Sequence, residues 1–252
     1  MASPGERRNL PEAQGPPKDH RANRLLAAMR PVDFALLEPH LKVVDLPRGA
    51  VVYEAGEIIR YTYFPHDAIV CLVEVMKDGR LVEVAMFGCE GVFGFLTALV
   101  SREALGRYMV LLPGTASQIA VERLQRAIRT RPHLRQLMLA YTEALLAQAF
   151  RTVACNTVHP VEARCCRWLL STCDRVRQDT LPLTHEMLAE MLGVQRSTVS
   201  LVLRSLQTSG LIVQRRGGIV VTNRAGLEQA ACECYGKIRS HFARLLPGTY
   251  GT

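Results

Sequence analysis

The chain has 252 residues, 48% hydrophobic and 21% charged, an ordinary globular composition with length enough for one large domain or two small ones. Its 31 Lys and Arg against 23 Asp and Glu give a formal charge of +8, which favours a polyanionic partner and excludes an acidic disordered chain. No stretch approaches the roughly 20 uncharged apolar residues of a membrane crossing, and the N-terminal MASPGERRNLPEAQGPPKDHR has no apolar signal core, so a cytoplasmic protein with no membrane partner is expected. Eight cysteines, none in a C-x2-C pair, read as reduced thiols packed as small hydrophobes, and no metal site is expected.

Residues 1–22 are rich in Pro, Gly and charge and read as a disordered tail. Leu25, Leu26 and Met29 then suggest a short helix stopped near Pro31, and Phe34, Leu36, Leu37 and Leu41 a further turn or two. From Val43 the character changes. Val51–Tyr53, Ile69–Val75, Leu81–Met86, Tyr108–Leu112 and Ser117–Val121 read as short strands separated by turn signals such as Pro47-Arg48-Gly49 and Lys77-Asp78-Gly79, the pattern of a sandwich or barrel over residues 23–120.

Residues 121–158 read as a long helix and hinge. Leu134, Leu137, Met138, Tyr141, Leu145, Ala149 and Thr152 recur at three- and four-residue steps, lining one face. That face either packs on its own barrel or pairs two copies as a parallel coiled-coil-like homodimer; dimerisation is the expectation. His159-Pro160 ends the helix.

Residues 159–252 carry the most specific pattern. After an amphipathic helix at Val161–Val176, Thr184 can cap a helix whose inner face is Leu188, Met191 and Leu192. Ala189 suits a close helix crossing, Gly193 a tight turn, and Val199 the core of a second helix near 195–208. This is helix-turn-helix spacing. Gly210–Thr222 follows with alternating apolar residues around Gly217-Gly218, a β-hairpin wing with Arg215 and Arg216 near its tip. Double-stranded DNA is the expected partner. The second helix would enter the major groove, presenting Gln195, Arg196, Ser197, Ser200 and Arg204, with Arg196 reading a guanine. Thr184, Ser197, Thr198 and the wing arginines suit phosphates.

A β-barrel, a long helix and a C-terminal winged helix-turn-helix in this order resemble the CRP/FNR superfamily of bacterial transcription regulators. The resemblance extends to Leu46-Pro47-Arg48-Gly49 with Val52-Tyr53-Glu54-Ala55-Gly56-Glu57, to Gly88-Cys89-Glu90-Gly91-Val92-Phe93-Gly94, which is similar to the approach to the family's phosphate-binding cassette, and to Ala231-Cys232-Glu233-Cys234-Tyr235. It implies an α+β fold: an N-terminal cyclic-nucleotide-binding-like β-barrel (jelly roll), a long dimerisation helix and the winged domain. It also implies a homodimer on a two-fold operator, contact with RNA polymerase if the protein activates, and an effector pocket around Gly91, Phe93, Gly94, Phe95, Leu96 and Arg107. Relatives that bind cyclic nucleotides carry glutamate after the cassette glycine and an Arg-Ser or Arg-Thr pair further on. Here Phe95 follows Gly94 and Tyr108 follows Arg107, so cyclic AMP is not expected and an unknown small ligand is left as effector.

No cofactor is expected. The first cysteine is Cys71, too late for the N-terminal iron–sulfur cluster of the oxygen-sensing relatives, and His66 in a Pro-His-Asp turn is a poor candidate for haem. Cys165 and Cys166 point to different sides of a helix, and Cys232-x-Cys234 is too short for a helical pair to face one another. Leu201 stands where many relatives place arginine, and Ser197 where they place glutamate. With no G-x-S-x-G, no H-E-x-x-H and no phosphate loop, an enzyme is not expected. The rival readings are a ligand-independent regulator whose barrel is only a dimer scaffold, and a thiol-redox-responsive one.

Overall fold

The computed structural model describes residues 10, 11, 13, 19–176 and 180–250. Most of the stretch read as a disordered tail lies outside them. Within it, His20–Ala22 form a 3-10 turn, with His20 Nδ1 2.7 Å from Ser117 Oγ. Helices α1 (Arg24–Ala27) and α2 (Pro31–Leu37) follow. Asn23 caps α1 by accepting from the Leu26 N–H at 3.0 Å, and its amide donates to the carbonyls of Pro65 and Gly91. The cap thus also fastens the entry of the chain to the barrel.

Seven strands come next: β1 (Lys42–Leu46), β2 (Val51–Tyr53), β3 (Tyr61–Pro65), β4 (Ile69–Val75), β5 (Leu81–Phe87), β6 (Arg107–Leu112) and β7 (Gly114–Ala120). They form two antiparallel sheets, β1-β7-β3 and β2-β6-β4-β5. Val44, Leu46, Tyr63 and Ile119 of the first share a core with Val52, Val70, Leu72 and Tyr108 of the second. β1 and β3 lie outside the strands expected from sequence. Both are edges of their sheet, where charges such as Lys42 and Asp45 and a terminal proline are tolerated and the alternating pattern is diluted.

Ile69–Val73 of β4 read as an unbroken apolar run because both faces of the sheet are covered there. Val70 and Leu72 enter the barrel core, while Ile69, Cys71 and Val73 join a second cluster with Trp168, Leu169 and Leu188 from the C-terminal half. The two halves are therefore packed against each other along the β4-β5 face.

Helix α3 (Val121–Thr130) leads into α4 (Pro132–Val158), 27 residues long. His159 is extended ahead of Pro160, as the proline ring demands, and α5 (Val161–Val176) begins at once. The C-terminal half continues with β8 (Thr180–Leu181), α6 (His185–Leu192), α7 (Arg196–Thr208), β9 (Ile212–Arg215), β10 (Gly218–Val221), α8 (Arg224–Ala230) and α9 (Cys234–Leu245).

The face of α4 expected to pair two copies is largely occupied within the chain. Leu134, Met138, Tyr141 and Leu145 are buried in the barrel core cluster together with Ile238 and Phe242 of α9, and Leu137, Ala149 and Thr152 are half-buried. The alternative, packing on its own barrel, describes this face, with α9 added to the surface that covers it. A different stripe is open: Leu139, Leu146, Phe150 and Val153 are 55%, 51%, 66% and 68% exposed.

A buried polar cluster bolts the parts together. Arg175 of α5 and Glu90 after β5 are 1% and 2% exposed and 2.7 Å apart. The same guanidinium donates to Gln148 of α4 at 2.8 Å, to Tyr250 Oη at 2.8 Å and to the Ser171 carbonyl at 2.9 Å. Nearby, Trp168 Nε1 donates to Glu83 of β5 at 2.9 Å, and burial pushes the Glu83 carboxyl up from its ordinary value.

Candidate nucleic-acid interface

Helices α6 and α7 form the helix-turn-helix from local rules. Thr184 caps α6, its Oγ1 accepting from the Met187 N–H at 3.1 Å. Gly193 closes it at φ 66° and ψ 38°, a left-handed conformation that penalises any Cβ, and the Val194 N–H returns to the Ala189 carbonyl at 3.0 Å. Leu188, Ala189, Leu192, Val199, Leu203 and Leu206 are buried, so the two helices share one small core with Ile212 and Ile219 of the wing. The wing is a two-residue hairpin: Arg215 pairs with Gly218, leaving Arg216-Gly217 as the turn, with Gly217 at φ 103°. The turn sits one residue earlier than expected, because Gly218 belongs to β10, where a Cβ would collide with the Leu181 carbonyl.

The open side of α7 carries Gln195, Arg196, Ser197, Leu201 and Arg204, all exposed, with Thr198 half-buried. Thr184, Arg215 and Arg216 are exposed around the same module. Arg196 Nε lies 3.8 Å from Glu186 Oε2, both side chains being about two-thirds exposed. Such a pair is worth little in water and leaves the guanidinium free to turn to another acceptor. Ser200 is placed differently from expectation. It is half-buried, donates to the Arg196 carbonyl at 3.0 Å, and lies 2.9 Å from His185 Nδ1. His185 Nε2 lies 2.7 Å from Gln214 Oε1, so one imidazole braces α6, α7 and the wing. Sequence reasoning missed His185; its place directly after the capping threonine was the available signal.

The charge follows the module. Residues 155–252 hold 12 Lys and Arg against 7 Asp and Glu, whereas residues 1–154 hold 19 against 16. An exposed helix between a tight turn and a basic hairpin, on the more basic part of the chain, defines a winged helix-turn-helix DNA-binding module.

The barrel residues expected to line an effector pocket form no polar cradle. Phe93 stacks on Tyr63 at 4.9 Å and on Tyr108 at 5.7 Å, with Phe87 and Tyr53 completing the ring cluster. Phe95 is buried in the same core and Leu96 is half-buried against it. Gly91 is required by the protein itself: a Cβ there would strike the Tyr141 ring of α4, whose hydroxyl donates to the Val92 carbonyl at 3.0 Å. Gly94, at φ 72°, lies close to the Tyr61 carbonyl. Arg107 is paired with Glu54 at 2.8 Å. His66 is buried, 2.7 Å from Ser117 Oγ and 3.1 Å from Thr115 Oγ1.

Among the cysteines, Cys232 and Cys234 depart from the expectation that they cannot face one site. That argument assumed a helix. Ala231 is extended and Cys232 lies ahead of α9, whose first residue is Cys234, so the two are not a pair within one regular helix, and both thiols lie beside Cys155 of α4.

Residues 163–230 match the Crp-like helix-turn-helix domain family. The chain is 26% identical over 217 residues to the global nitrogen regulator of Synechococcus elongatus, spanning 82% of this chain and 96% of that protein. It is 22% identical over 214 residues to the CRP-like cAMP-activated global transcriptional regulator of Mycobacterium tuberculosis, again 82% and 96%. In fold it is similar to FixK2 from Bradyrhizobium japonicum, with a TM-score of 0.66 at 19% identity over 76% of this chain and 98% of that one. The c-di-GMP responsive regulator CLP of Xanthomonas campestris gives 0.61 at 20% over 76% and 99%. Residues 163–230 thus carry a Crp-like helix-turn-helix domain, and over about four-fifths of its length the chain is similar to bacterial transcription regulators, whose fold it shares. Among its described residues no helix is long and apolar enough to cross a membrane.

Proposed function

We propose that the protein acts as a homodimer that reads a two-fold symmetric operator, with the open face of α4 as the seam between copies. The observation that carries this is the stripe Leu139, Leu146, Phe150 and Val153. With Glu143 and Thr157 it completes steps of four, three, four, three and four residues, the ladder of a two-stranded coiled coil. A parallel pairing along α4 would place two recognition helices about a two-fold axis, as half-sites roughly 34 Å apart require.

Within each half-site, Arg196 reads a base and Arg216 holds a phosphate. In quantitative footprinting, Arg196→Ala is expected to weaken specific binding by about 1–3 kcal/mol while leaving non-specific binding nearly unchanged. Equal loss of both would remove its base-reading role. Arg216→Ala should lower the slope of log affinity against log salt by about one unit across all sequences. An unchanged slope would take it off the phosphate backbone.

The barrel is proposed to serve as a scaffold for this dimer and not as a cyclic-nucleotide receptor. Stacked rings occupy its interior, and Arg107, at the start of β6, is paired with Glu54. A ribose hydroxyl set against Phe95 would forgo a charge-assisted hydrogen bond of about 1.5–3 kcal/mol.

A further inference from the structure

Cys155, His159, Cys232 and Cys234 place their four donor atoms all within 4.8 Å of one another. Cys155 and His159 are one turn apart at the end of α4, and Cys232 and Cys234 arrive from the start of α9, so the cluster joins segments more than 70 residues apart in sequence. The Cys155 and Cys232 sulfurs are 3.4 Å apart, and Cys234 Sγ is 3.8 Å from His159 Nδ1. Four ligands about a zinc ion at about 2.3 Å would be separated by about 3.8 Å along each edge of the tetrahedron. The observed spacing fits one ion and is too tight for a cluster of several irons.

We infer that these residues form a Cys3His site for a single zinc ion, clamping the end of α4 to the start of α9.

The surroundings support a ligand set over a chance gathering of thiols. His159 presents Nδ1 to the sulfurs while its Nε2 lies 2.9 Å from Glu233 Oε2. This is the carboxylate–histidine arrangement that fixes the tautomer and orientation of a metal-binding imidazole. Three thiolates with a dication leave one net negative charge, and Arg164 and Arg167 of α5 act electrostatically on the Cys155 sulfur. The thiols give their protons to solvent as the ion binds. A disulfide would engage only two of the four groups and leave the imidazole and its carboxylate without a purpose.

The site gathers the entrance and the exit of the DNA-binding domain at one point. His159 directly precedes the Pro160 hinge, and Cys232 follows α8, so the ion would close residues 160–231 into a loop tied to α4. Soft thiolates with one imidazole select zinc over magnesium or calcium.

The test uses the full chain, purified under reducing conditions, stripped with chelator and titrated with cobalt(II). Expected are thiolate-to-cobalt charge-transfer bands and an intense tetrahedral visible spectrum, saturating at one cobalt per chain and erased by one equivalent of zinc. Glu233→Gln, which leaves all four ligands in place, should weaken zinc affinity by about 10- to 100-fold, and Cys234→Ser should remove one thiolate's share of the charge-transfer intensity. Reduced wild-type chain that gives no thiolate–cobalt band would overturn the proposal whatever the variants do. So would a band that survives in Cys155→Ser/Cys232→Ser, or a Cys155–Cys232 disulfide that forms equally fast with and without zinc.

Discussion

Arg175→Met is expected to lower the free energy of unfolding by roughly 3–5 kcal/mol, the usual penalty for leaving one member of a buried ion pair without its partner. The guanidinium is 1% exposed and its hydrogen bonds reach Glu90, Gln148, Tyr250 and the Ser171 carbonyl. Removing it strands the Glu90 carboxylate in a site without water access and breaks the connection between barrel, long helix and C-terminus together. Glu90→Gln should cost less, since a neutral amide still accepts from the guanidinium. Arg175→Met combined with Glu90→Leu should recover much of the loss, because a well-packed apolar pair avoids the desolvation of both charges. Denaturant unfolding of the four proteins measures the coupling between the two sites. A purely additive result would show that the pair contributes only through its volume.

Leu146→Glu combined with Phe150→Glu is expected to dissociate the dimer without unfolding the protomer. Both side chains are more than half exposed in the single chain, so the protomer loses little. Across a two-fold seam each substitution appears twice, which forfeits the burial of two leucines and two phenylalanines at about 1.5–3 kcal/mol each and sets four carboxylates near one another. The dissociation constant should rise by at least about 100-fold even if only part of that burial is realised. Sedimentation at micromolar concentration reads the change directly, and operator affinity should fall to that of a single half-site. A variant that still sediments as a dimer would place the seam elsewhere.

The parts of the fold written in local rules were legible in the sequence. Thr184, Ala189, Gly193 and Val199 specify cap, crossing, turn and anchor within sixteen residues, and Val161–Val176 is bounded by Pro160 and an amphipathic stripe. The unbroken run of β4 announced a strand, yet which layer covers its outer face is a non-local fact. The same limit explains the long helix. Its apolar residues fall on two faces, and nothing within α4 says that Leu134, Met138, Tyr141 and Leu145 are buried with the barrel core and α9 while Leu139, Leu146, Phe150 and Val153 stay open. The three-, four- and three-residue steps of Tyr235, Ile238, Phe242 and Leu245 were the signal that could have revealed α9. The Cys155, His159, Cys232 and Cys234 group was hidden for a related reason: two donors come from a helix and two from a bend more than 70 residues away, where helical spacing rules do not apply.

Selection of bound fragments from a random DNA pool by the full-length wild-type protein addresses the central claim most directly. The expected result is enrichment of a two-fold symmetric sequence with half-sites centred about 34 Å apart, one helical turn of DNA, its most discriminated base lost with Arg196→Ala. Enrichment of an asymmetric single site, or of no sequence at all, would contradict the account.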